Sequence, residues 1–217
     1  MALAIFDLDN TLLAGDSDYL WGRFLIENQL VNSAAYEHQN QQFYAAYRDG
    51  TLDIQAYLRF QLGILKKFDY QELLSWRHQF VTQKIMPIVL PKAIALIEHH
   101  RQQGHYLLII TATNEFITQP IAQLLAIPHL IACQVDMQQG QFTGLARGIP
   151  SFREGKVIRL EHWLQEQQCS WQDSWFYSDS HNDIPLLSRV THPIAVNPDP
   201  QLLDHATGCG WQIMDLR

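Results

Sequence analysis

Short apolar runs alternate with stretches of helical periodicity along most of the 217 residues. This alternation is typical of a parallel sheet with helices packed on both of its faces. Several of the apolar runs are nearly continuous, as expected of strands that are buried on both sides. The predicted strands are 3–7, 106–111, 131–135, 175–178, 194–196 and 211–214. The sequence therefore predicts an α/β fold with a parallel sheet.

Helical periodicity fills the intervals between these strands. The predicted helices are 91–103, 115–125, 154–166 and 183–188. Pro91 suits the first turn of a helix, and Gly104 suits a position just after its end. Pro120 lies inside the second of these helices, so we expect that helix to be kinked or to start late. The turn residues at 138–140 predict a small hairpin between 134–137 and 141–144.

Residues 16–86 interrupt the alternation, because they contain helical periodicity and no run that predicts a strand. Ile54, Leu58, Leu62 and Leu65, for example, recur at the spacing of one helix face. We therefore predict a bundle of about four helices, inserted directly after the first strand. The α/β core would consist of residues 1–15 and 87–217, and the bundle of residues 16–86.

Composition and charge exclude several functional classes. The chain has 15 Lys+Arg against 22 Asp+Glu, with a net charge of −7. Nucleic-acid backbones need concentrated basic residues, so we expect no nucleic-acid partner. No apolar run approaches the roughly 20 residues of a membrane span, so we expect no membrane partner. The three cysteines are far apart, odd in number and not in a C-x-x-C pattern, which predicts reduced, buried thiols in a cytoplasmic protein. We expect a monomer or a homodimer.

The strongest chemical signal follows the first predicted strand, where Asp7 and Asp9 are separated by one residue. The carboxyl ends of parallel strands are the places where such sheets bind ligands. Two acids at this place can serve catalysis. They can also be turn residues or a helix cap, and the pair alone does not decide between these roles.

Three later segments also place a polar or charged residue at the end of a predicted strand or at the start of a predicted helix. Thr111 ends the second predicted strand and Ala112 follows it, just before a helix, where backbone N–H groups bind phosphate well. Lys156 lies at the start of another helix, and Asp179 and Asp183 follow the fourth strand. Each has an ordinary structural explanation as a cap or a surface charge, but their combination in this order is much more specific.

These motifs resemble those of the haloacid dehalogenase superfamily of phosphohydrolases, in the order that the family shows and over nearly the whole chain. The helical insert directly after the first motif resembles the C1-type cap of the branch that includes phosphoserine phosphatase. The resemblance implies a Rossmann-like three-layer core, with the cap inserted into it. It also implies Mg²⁺-dependent hydrolysis of a small phosphate ester through a phosphoaspartate.

The same resemblance assigns the reacting groups. Asp7 would attack phosphorus, and the acyl phosphate so formed would be cleaved by water. The side chains of Asp7 and Asp179 and the backbone carbonyl of Asp9 would bind Mg²⁺, which prefers oxygen ligands. The side chain of Asp9 would then be free to protonate the leaving alkoxide and to activate water. Retention of an acid at this place favours the hydrolysis of phosphomonoesters.

Further residues would support this chemistry. Lys156 would offset negative charge between Asp7 and the phosphate. Thr111 and the N–H of Ala112 would hold a phosphoryl oxygen, and Asn182 is a candidate substrate contact. The residues that would support the metal ligands from behind are Thr11 and Asp183.

The substrate is less well determined by the sequence. Asp16 lies nine residues after Asp7, where phosphoserine phosphatases carry an acid that meets the substrate amine; it can equally cap a helix. In place of the usual Ser-Gly-Gly-Phe, this chain has Thr-Ala-Thr-Asn from residue 111. Arg48 and Arg59 are candidates for binding a substrate carboxylate on composition alone. Histidinol phosphate, which has an amine and no carboxylate, is thus at least as plausible as phosphoserine.

Two other functions remain open at this stage. A phosphotransferase or mutase would use the same two acids and pass the phosphoryl group to an alcohol. A phosphate-binding module without turnover could keep the same fold, although the retention of Asp7, Asp9, Lys156 and Asp179 argues against it.

Overall fold

The computed structural model describes residues 2–217, which contain seven strands. They are β1 (Leu3–Phe6), β2 (Tyr106–Asn114), β3 (His129–Gln138), β4 (Gln141–Arg147), β5 (Ser174–Ser178), β6 (His192–Val196) and β7 (Gln212–Met214). They form one sheet in the order β4-β3-β2-β1-β5-β6-β7. All neighbouring strands are parallel except β3 and β4, which pair antiparallel as the predicted hairpin. The predicted α/β fold is confirmed.

Helices fill the segments between the strands. In chain order they are α1 (Ser17–Glu27), α2 (Ser33–Arg48), α3 (Ile54–Leu65), α4 (Tyr70–Phe80), α5 (Pro91–Gln102), α6 (Glu115–Leu124), α7 (Glu154–Glu166), α8 (Ile184–Leu187) and α9 (Pro200–Cys209). The first four lie between β1 and β2, where the sequence predicts a helical bundle. The boundaries of that bundle at 16 and 86 stay a prediction, and residue 1 of the predicted core lies outside the described residues.

Two hydrophobic layers cover the two faces of the sheet. Alternation along β1 directs Leu3 and Ile5 to one layer and Ala4 and Phe6 to the other. The second layer continues into the inserted helices, where Trp21 packs its ring edge-on against other aromatic rings. The inserted helices therefore share a hydrophobic core with the sheet. Among residues 2–217, no helix combines the length and the apolar character needed to cross a membrane.

The register of the central strands determines where the candidate residues lie. Phe6, at the end of β1, pairs with Ile109 of β2 and with Tyr177 of β5. Because all three strands run in the same direction, the residues that follow these positions emerge at one edge of the sheet. This edge brings together the motifs that are separated by more than a hundred residues in the sequence.

The structure corrects two expectations. Helix α6 begins at Glu115, so a late start caused by Pro120 is wrong. Proline lacks the N–H that would bond to the carbonyl of Phe116. Arg77 of α4 donates to that carbonyl from Nη1 at 2.8 Å, so it replaces the missing partner. Cys209 is exposed, whereas only the thiol of Cys133 is fully buried among the three free cysteines.

A buried histidine links helix α5 to the sheet behind the candidate site. His100 Nε2 lies 2.8 Å from the hydroxyl of Tyr177, and its Nδ1 lies 2.8 Å from Nδ1 of His105. A neutral imidazole donates from one nitrogen and accepts at the other, and it therefore suits both contacts. Burial, aided by the charges of His105 and His99, lowers the pKa of His100 to about 4.

This low pKa predicts an acid-sensitive contribution to stability. The unfolded chain protonates His100 below about pH 6.5, whereas the folded protein does so only near pH 4, so stability is lost as the pH falls between these values. The advantage of wild type over His100→Gln in the free energy of unfolding should shrink by roughly 2–3 kcal/mol from pH 7 to pH 4.5. Denaturant unfolding at both pH values measures this, with the exposed His162→Gln as the control. A constant difference would contradict the prediction.

Candidate active site

Asp7 and Lys156 form a buried ion pair at the carboxyl edge of the sheet. The Nζ of Lys156 lies 2.8 Å from Oδ1 of Asp7 and 2.8 Å from Oδ2 of Asp183. Ser178, the last residue of β5, donates its hydroxyl to the same Asp183 oxygen at 2.7 Å. Lys156 is only 1% exposed, so this cluster is shielded from bulk water. The structure thus brings three of the residues predicted from the sequence, Asp7, Lys156 and Asp183, into direct contact.

Burial and the opposite charges in this cluster shift each pKa in opposite directions. Burial raises the pKa of Asp7 to about 7, although the ammonium of Lys156 acts in the opposite direction. Burial also lowers the pKa of Lys156, but the carboxylates of Asp183 and Asp7 outweigh it, so the lysine pKa is raised overall. Lys156 is therefore charged at neutral pH. Within residues 2–217 we find no hydrogen bond to Oδ2 of Asp7, which leaves that oxygen free for a reactant.

Asp179 lies beside this cluster and is oriented by the first motif. The hydroxyl of Thr11 donates to Oδ1 of Asp179 at 3.2 Å, and the backbone N–H of Asp179 donates to the same hydroxyl oxygen at 3.1 Å. Burial, and then the charges of Asp7 and Asp183, raise the pKa of Asp179 well above its usual value. An additional positive charge close to Asp179 would thus be stabilised.

Asp9 is held by two donors from different parts of the chain. The N–H of Ser17, the first residue of α1, donates to Oδ1 at 2.6 Å. The hydroxyl of Thr113 donates to Oδ2 at 2.9 Å. Burial, and then the charge of Asp16, raise the pKa of Asp9 to about 7. This value suits a group that must give and take a proton near neutral pH.

Thr113 is a site residue that the sequence does not predict. It follows Thr111 by two residues, and its N–H donates to the hydroxyl oxygen of Thr111 at 3.1 Å. The sequence does contain a signal for Thr113, because this turn departs from the glycine-rich pattern of phosphoserine phosphatases. Glycine at this place has no hydroxyl that could reach Asp9.

Asp16 combines the two roles that its position allows. Its Oδ1 accepts the N–H of Tyr19 at 2.8 Å, so it caps helix α1. It also lines the cavity that contains Asp7. Burial raises the pKa of Asp16 to about 7. The cap therefore does not exclude a contact between Asp16 and a ligand.

Asn182 does not line that cavity in the part of the chain that the structure describes. Its amide nitrogen donates to the carbonyl of Tyr47 at 3.0 Å, and its amide oxygen accepts from Arg153 Nε at 2.9 Å. The expected substrate contact of Asn182 stays a prediction, and the contacts seen are with Tyr47 of the inserted helices and with Arg153 of the core. Arg48 and Arg59 are exposed and line other clefts.

The cavity above Asp7 is closed over by the inserted helices. Its free volume is about 30 Å³, which is room for about one or two water molecules. The core contributes Asp7, Asp9, Thr111, Ala112 and Thr113, and the inserted segment contributes Asp16, Tyr19, Asn40, Phe43, Tyr44, Tyr47, Leu52 and Tyr57. A ligand larger than this cavity needs the lining side chains, or the helices that carry them, to move.

The residues at the sheet edge fit a magnesium ion. Among the described residues, no three His, Cys, Asp or Glu side chains are arranged to hold a metal. The expected set consists instead of two carboxylates, Asp7 and Asp179, and the backbone carbonyl of Asp9. Mg²⁺ commonly binds through one or two carboxylates and keeps several waters. Burial, and then the charges of neighbouring carboxylates, raise the pKa values of Asp7 and Asp179, so a divalent cation that stabilises their charged forms suits this donor set.

Comparisons with known proteins agree on the class. Residues 4–188 match the family model described as haloacid dehalogenase-like hydrolase. A protein of Neisseria meningitidis serogroup C named histidinol-phosphatase is 42% identical over 99% of each chain. A crystal structure of a Bordetella pertussis protein of unknown function is 40% identical, with a TM-score of 0.94 over 100% of this chain and 99% of that one. A substrate-bound phosphoserine phosphatase shares the fold at 18% identity, with a TM-score of 0.73 over 98% of this chain and 92% of that chain.

The fold and these relationships define a hydrolase with an α/β core. The chain belongs to the haloacid dehalogenase-like hydrolase family. The expectation of a phosphatase of this family is confirmed.

Proposed function

We propose that this phosphatase hydrolyses a small phosphomonoester that carries an amine and no carboxylate, with histidinol phosphate as the best candidate. The observation that supports it is the lining of the cavity above Asp7. Acids and aromatic rings surround that cavity, and none of the described residues that line it is Lys or Arg. A substrate carboxylate would have no cationic partner among these lining residues, whereas a substrate cation would have several carboxylates and aromatic rings as partners.

The charge of the site favours a cationic substrate. Burial raises the pKa of Asp16 and of Asp18 to about 7, so a cation nearby would stabilise their charged forms. Among the described residues, Lys156 is the one fully buried cation. A phosphate ester brings further negative charge, so an ammonium group on the same substrate would reduce the repulsion.

The aromatic part of the cavity fits an amine or an imidazolium group. Tyr19, Tyr44 and Tyr57 belong to the inserted helices and line the cavity together with Phe43. Ring faces attract cations, and they do so more strongly where water is excluded. The Neisseria relative is named histidinol-phosphatase, which supports the same substrate.

Asp7 is the proposed nucleophile. Its Oδ1 is held by Lys156 at 2.8 Å, which fixes the carboxylate and leaves Oδ2 for attack on phosphorus. Thr111 and the N–H of Ala112, which line the same cavity, would bind a phosphoryl oxygen. When bound by Asp7, Asp179 and the carbonyl of Asp9, Mg²⁺ would supply the positive charge that the attack needs.

Asp9 is the proposed general acid and base. The bond from phosphorus to the leaving oxygen breaks while Asp9 gives that oxygen a proton. Asp9 then takes a proton from the water that cleaves the phosphoaspartate. Ser17 and Thr113 orient both oxygens of its carboxyl group for these transfers.

Phosphate release from a panel of esters tests the proposal. The panel consists of histidinol phosphate, phosphoserine, a sugar phosphate, a nucleotide and an aryl phosphate, each with Mg²⁺ or with a chelator. A much higher kcat/KM for histidinol phosphate supports the proposal, and a preference for phosphoserine would overturn it. An added alcohol acceptor distinguishes hydrolysis from phosphotransfer, because a transferase would form a new phosphate ester.

Asp16→Asn should weaken recognition of the amine selectively. Asn is as good a helix cap as Asp, so α1 should be retained. We expect the KM for histidinol phosphate to rise roughly 10- to 100-fold through the loss of one charge-assisted contact. The KM for an aryl phosphate should change little. Asp53→Asn is a matched control, because Asp53 caps α3 in the same way and is exposed. Equal effects on both esters would refute amine binding by Asp16.

A further inference from the structure

Arg153 has a backbone conformation that ordinary residues avoid. Its φ is 50° and its ψ is −122°, directly before helix α7, which carries Lys156. Glycine adopts this conformation without strain, and other residues do so at a cost. The loop is also tight at Gly155, where a Cβ would lie 2.1 Å from the carbonyl oxygen of Pro150. A non-glycine residue at 153 therefore suggests that its side chain has a role that offsets the strain.

The side chain of Arg153 bridges the core and the inserted helices. Its Nη2 donates to the carbonyl of Gly50 at 2.6 Å, and its Nε donates to the amide oxygen of Asn182 at 2.9 Å. The amide nitrogen of Asn182 in turn donates to the carbonyl of Tyr47 at 3.0 Å. Residues 47–50 at the end of α2, which we call the docking turn, are thus held by two core residues.

The docking turn fits closely against the core. Gly50 has φ of +70°, and a Cβ on it would lie 2.7 Å from Nε2 of His181. His181 is fixed from the other side, because its Nδ1 lies 2.7 Å from Oδ2 of Asp199. Its Nε2 is buried without a hydrogen-bond partner in the described part of the chain. Glycine at position 50 therefore permits an approach that any larger residue would prevent.

The docking turn also carries a residue of the cavity. Tyr47 lines the space above Asp7, and its ring packs 6.2 Å from that of Phe152, centroid to centroid. The guanidinium of Arg153 lies over the same Phe152 ring, at 5.0 Å from its centroid. Movement of the docking turn away from Arg153 would thus move Tyr47 out of the cavity.

We propose that Arg153 is a positioning residue that latches the inserted helices over the active site, through its hydrogen bonds to Gly50 and Asn182. The free volume of about 30 Å³ is too small for a phosphate ester, and opening of these helices would provide the room. Arg153 stabilises the closed state, in which Tyr47 and the other aromatic residues surround the substrate. A ligand that binds only the closed state binds more weakly when that state is less populated.

Arg153→Gly separates this role from a purely structural one. The substitution removes the latch and the backbone strain together, so the melting temperature should stay unchanged or rise. The KM for the preferred amine-bearing ester should increase roughly 10- to 100-fold, as expected for the loss of a hydrogen bond to a charged group. Arg153→Lys, which retains the charge and the strained backbone but not the planar group with its two donors, should recover only part of this loss. An aryl phosphate, which makes fewer contacts with the inserted helices, should be less affected.

Gln168→Gly is the matched control. Gln168 also has a positive φ, of 54°, but it is exposed at the other end of α7 and far from the docking turn in sequence. This substitution tests the effect of a new glycine on the chain without touching the latch. It should leave the kinetic constants at their wild-type values.

Amide hydrogen exchange provides a readout that does not require turnover. In Arg153→Gly, the N–H groups of Gly50 and Thr51 should exchange faster than in the wild type, whereas those of strands β1 and β5 should not. Unchanged exchange in the docking turn, or an unchanged KM for the preferred ester, would overturn the latch. The kinetic arm rests on the proposed function, but the exchange arm does not, so a wild type that hydrolyses none of the esters would refute the proposed function and leave the latch testable.

Discussion

Asp7→Asn is expected to abolish phosphate release without destabilising the protein. A neutral amide cannot act as the nucleophile, so kcat should fall by a factor on the order of 10⁴ or more. The substitution keeps the shape of the side chain. Lys156 retains Asp183 as an ion-pair partner at 2.8 Å, so its buried charge is not left alone. Phosphate release at saturating ester measures the loss.

The stability of this variant should depend on pH in a defined direction. The folded protein holds the pKa of Asp7 near 7, whereas its usual value is 3.8. The ionisation of Asp7 therefore reduces wild-type stability as the pH rises from about 4 to 7. Asn has no such penalty, so the melting temperature of Asp7→Asn without added Mg²⁺ should equal or exceed that of the wild type at pH 8. The advantage should be smaller at pH 5.

Asp204→Asn provides the comparison, because Asp204 is an exposed acid on α9. It should change neither activity nor the pH dependence of the melting temperature. Appreciable turnover by Asp7→Asn would exclude a phosphoaspartate. Loss of the folded state would show instead that Asp7 is needed for folding, and activity could then not be assigned to it.

The position of the site could be predicted from the sequence because parallel strands bring their carboxyl ends together. Asp7 follows β1 and Asp179 follows β5, and these two strands pair with each other. Their approach therefore depends only on the identity and direction of these strands. The resemblance, and not any spacing within the chain, implies that Lys156 lies near Asp7. The contact of Lys156 with Asp183 was not predicted.

Contacts between the inserted helices and the core could not be predicted in the same way. Arg77 supports the helix that contains Pro120 from 39 residues away. Asn182 donates to Tyr47 across 135 residues. Such contacts depend on how the helices pack against the sheet, and hydrophobic periodicity gives the buried face of a helix but not its partner. The backbone strain at Arg153 could likewise not be predicted, because arginine is not a residue type that favours a positive φ.

The resemblance implies the acid and base role of Asp9, which stays a prediction, but it does not give the surroundings of this carboxyl group. The donors to its two oxygens come from the start of α1 and from β2. Thr113 reaches Asp9 only because β2 runs to Asn114, three residues beyond the predicted end of that strand.

Asp9→Asn should therefore impair esters in proportion to how much their leaving groups need a proton. The substituted amide can still accept from Ser17, and the hydroxyl of Thr113 can rotate to accept from its nitrogen, so the local structure should be retained. For an alkyl ester such as histidinol phosphate, the first step should slow by roughly 10²- to 10⁴-fold. For an aryl phosphate, whose phenolate leaves without protonation, the first step should slow much less.

Steady-state rates alone would not separate these steps, because Asp9 is also the proposed base for the water that cleaves the phosphoaspartate. Rapid-mixing measurements do separate them. With an aryl phosphate, Asp9→Asn should release a burst of phenol close to one equivalent per site, followed by slow turnover. With histidinol phosphate it should give no burst of the alcohol. Thr113→Val, which removes one donor and leaves the carboxyl group in place, should keep the second step faster than in Asp9→Asn. Equal slowing of the first step for both esters would contradict proton donation by Asp9, because the loss of a proton donor slows a poor leaving group more than a good one.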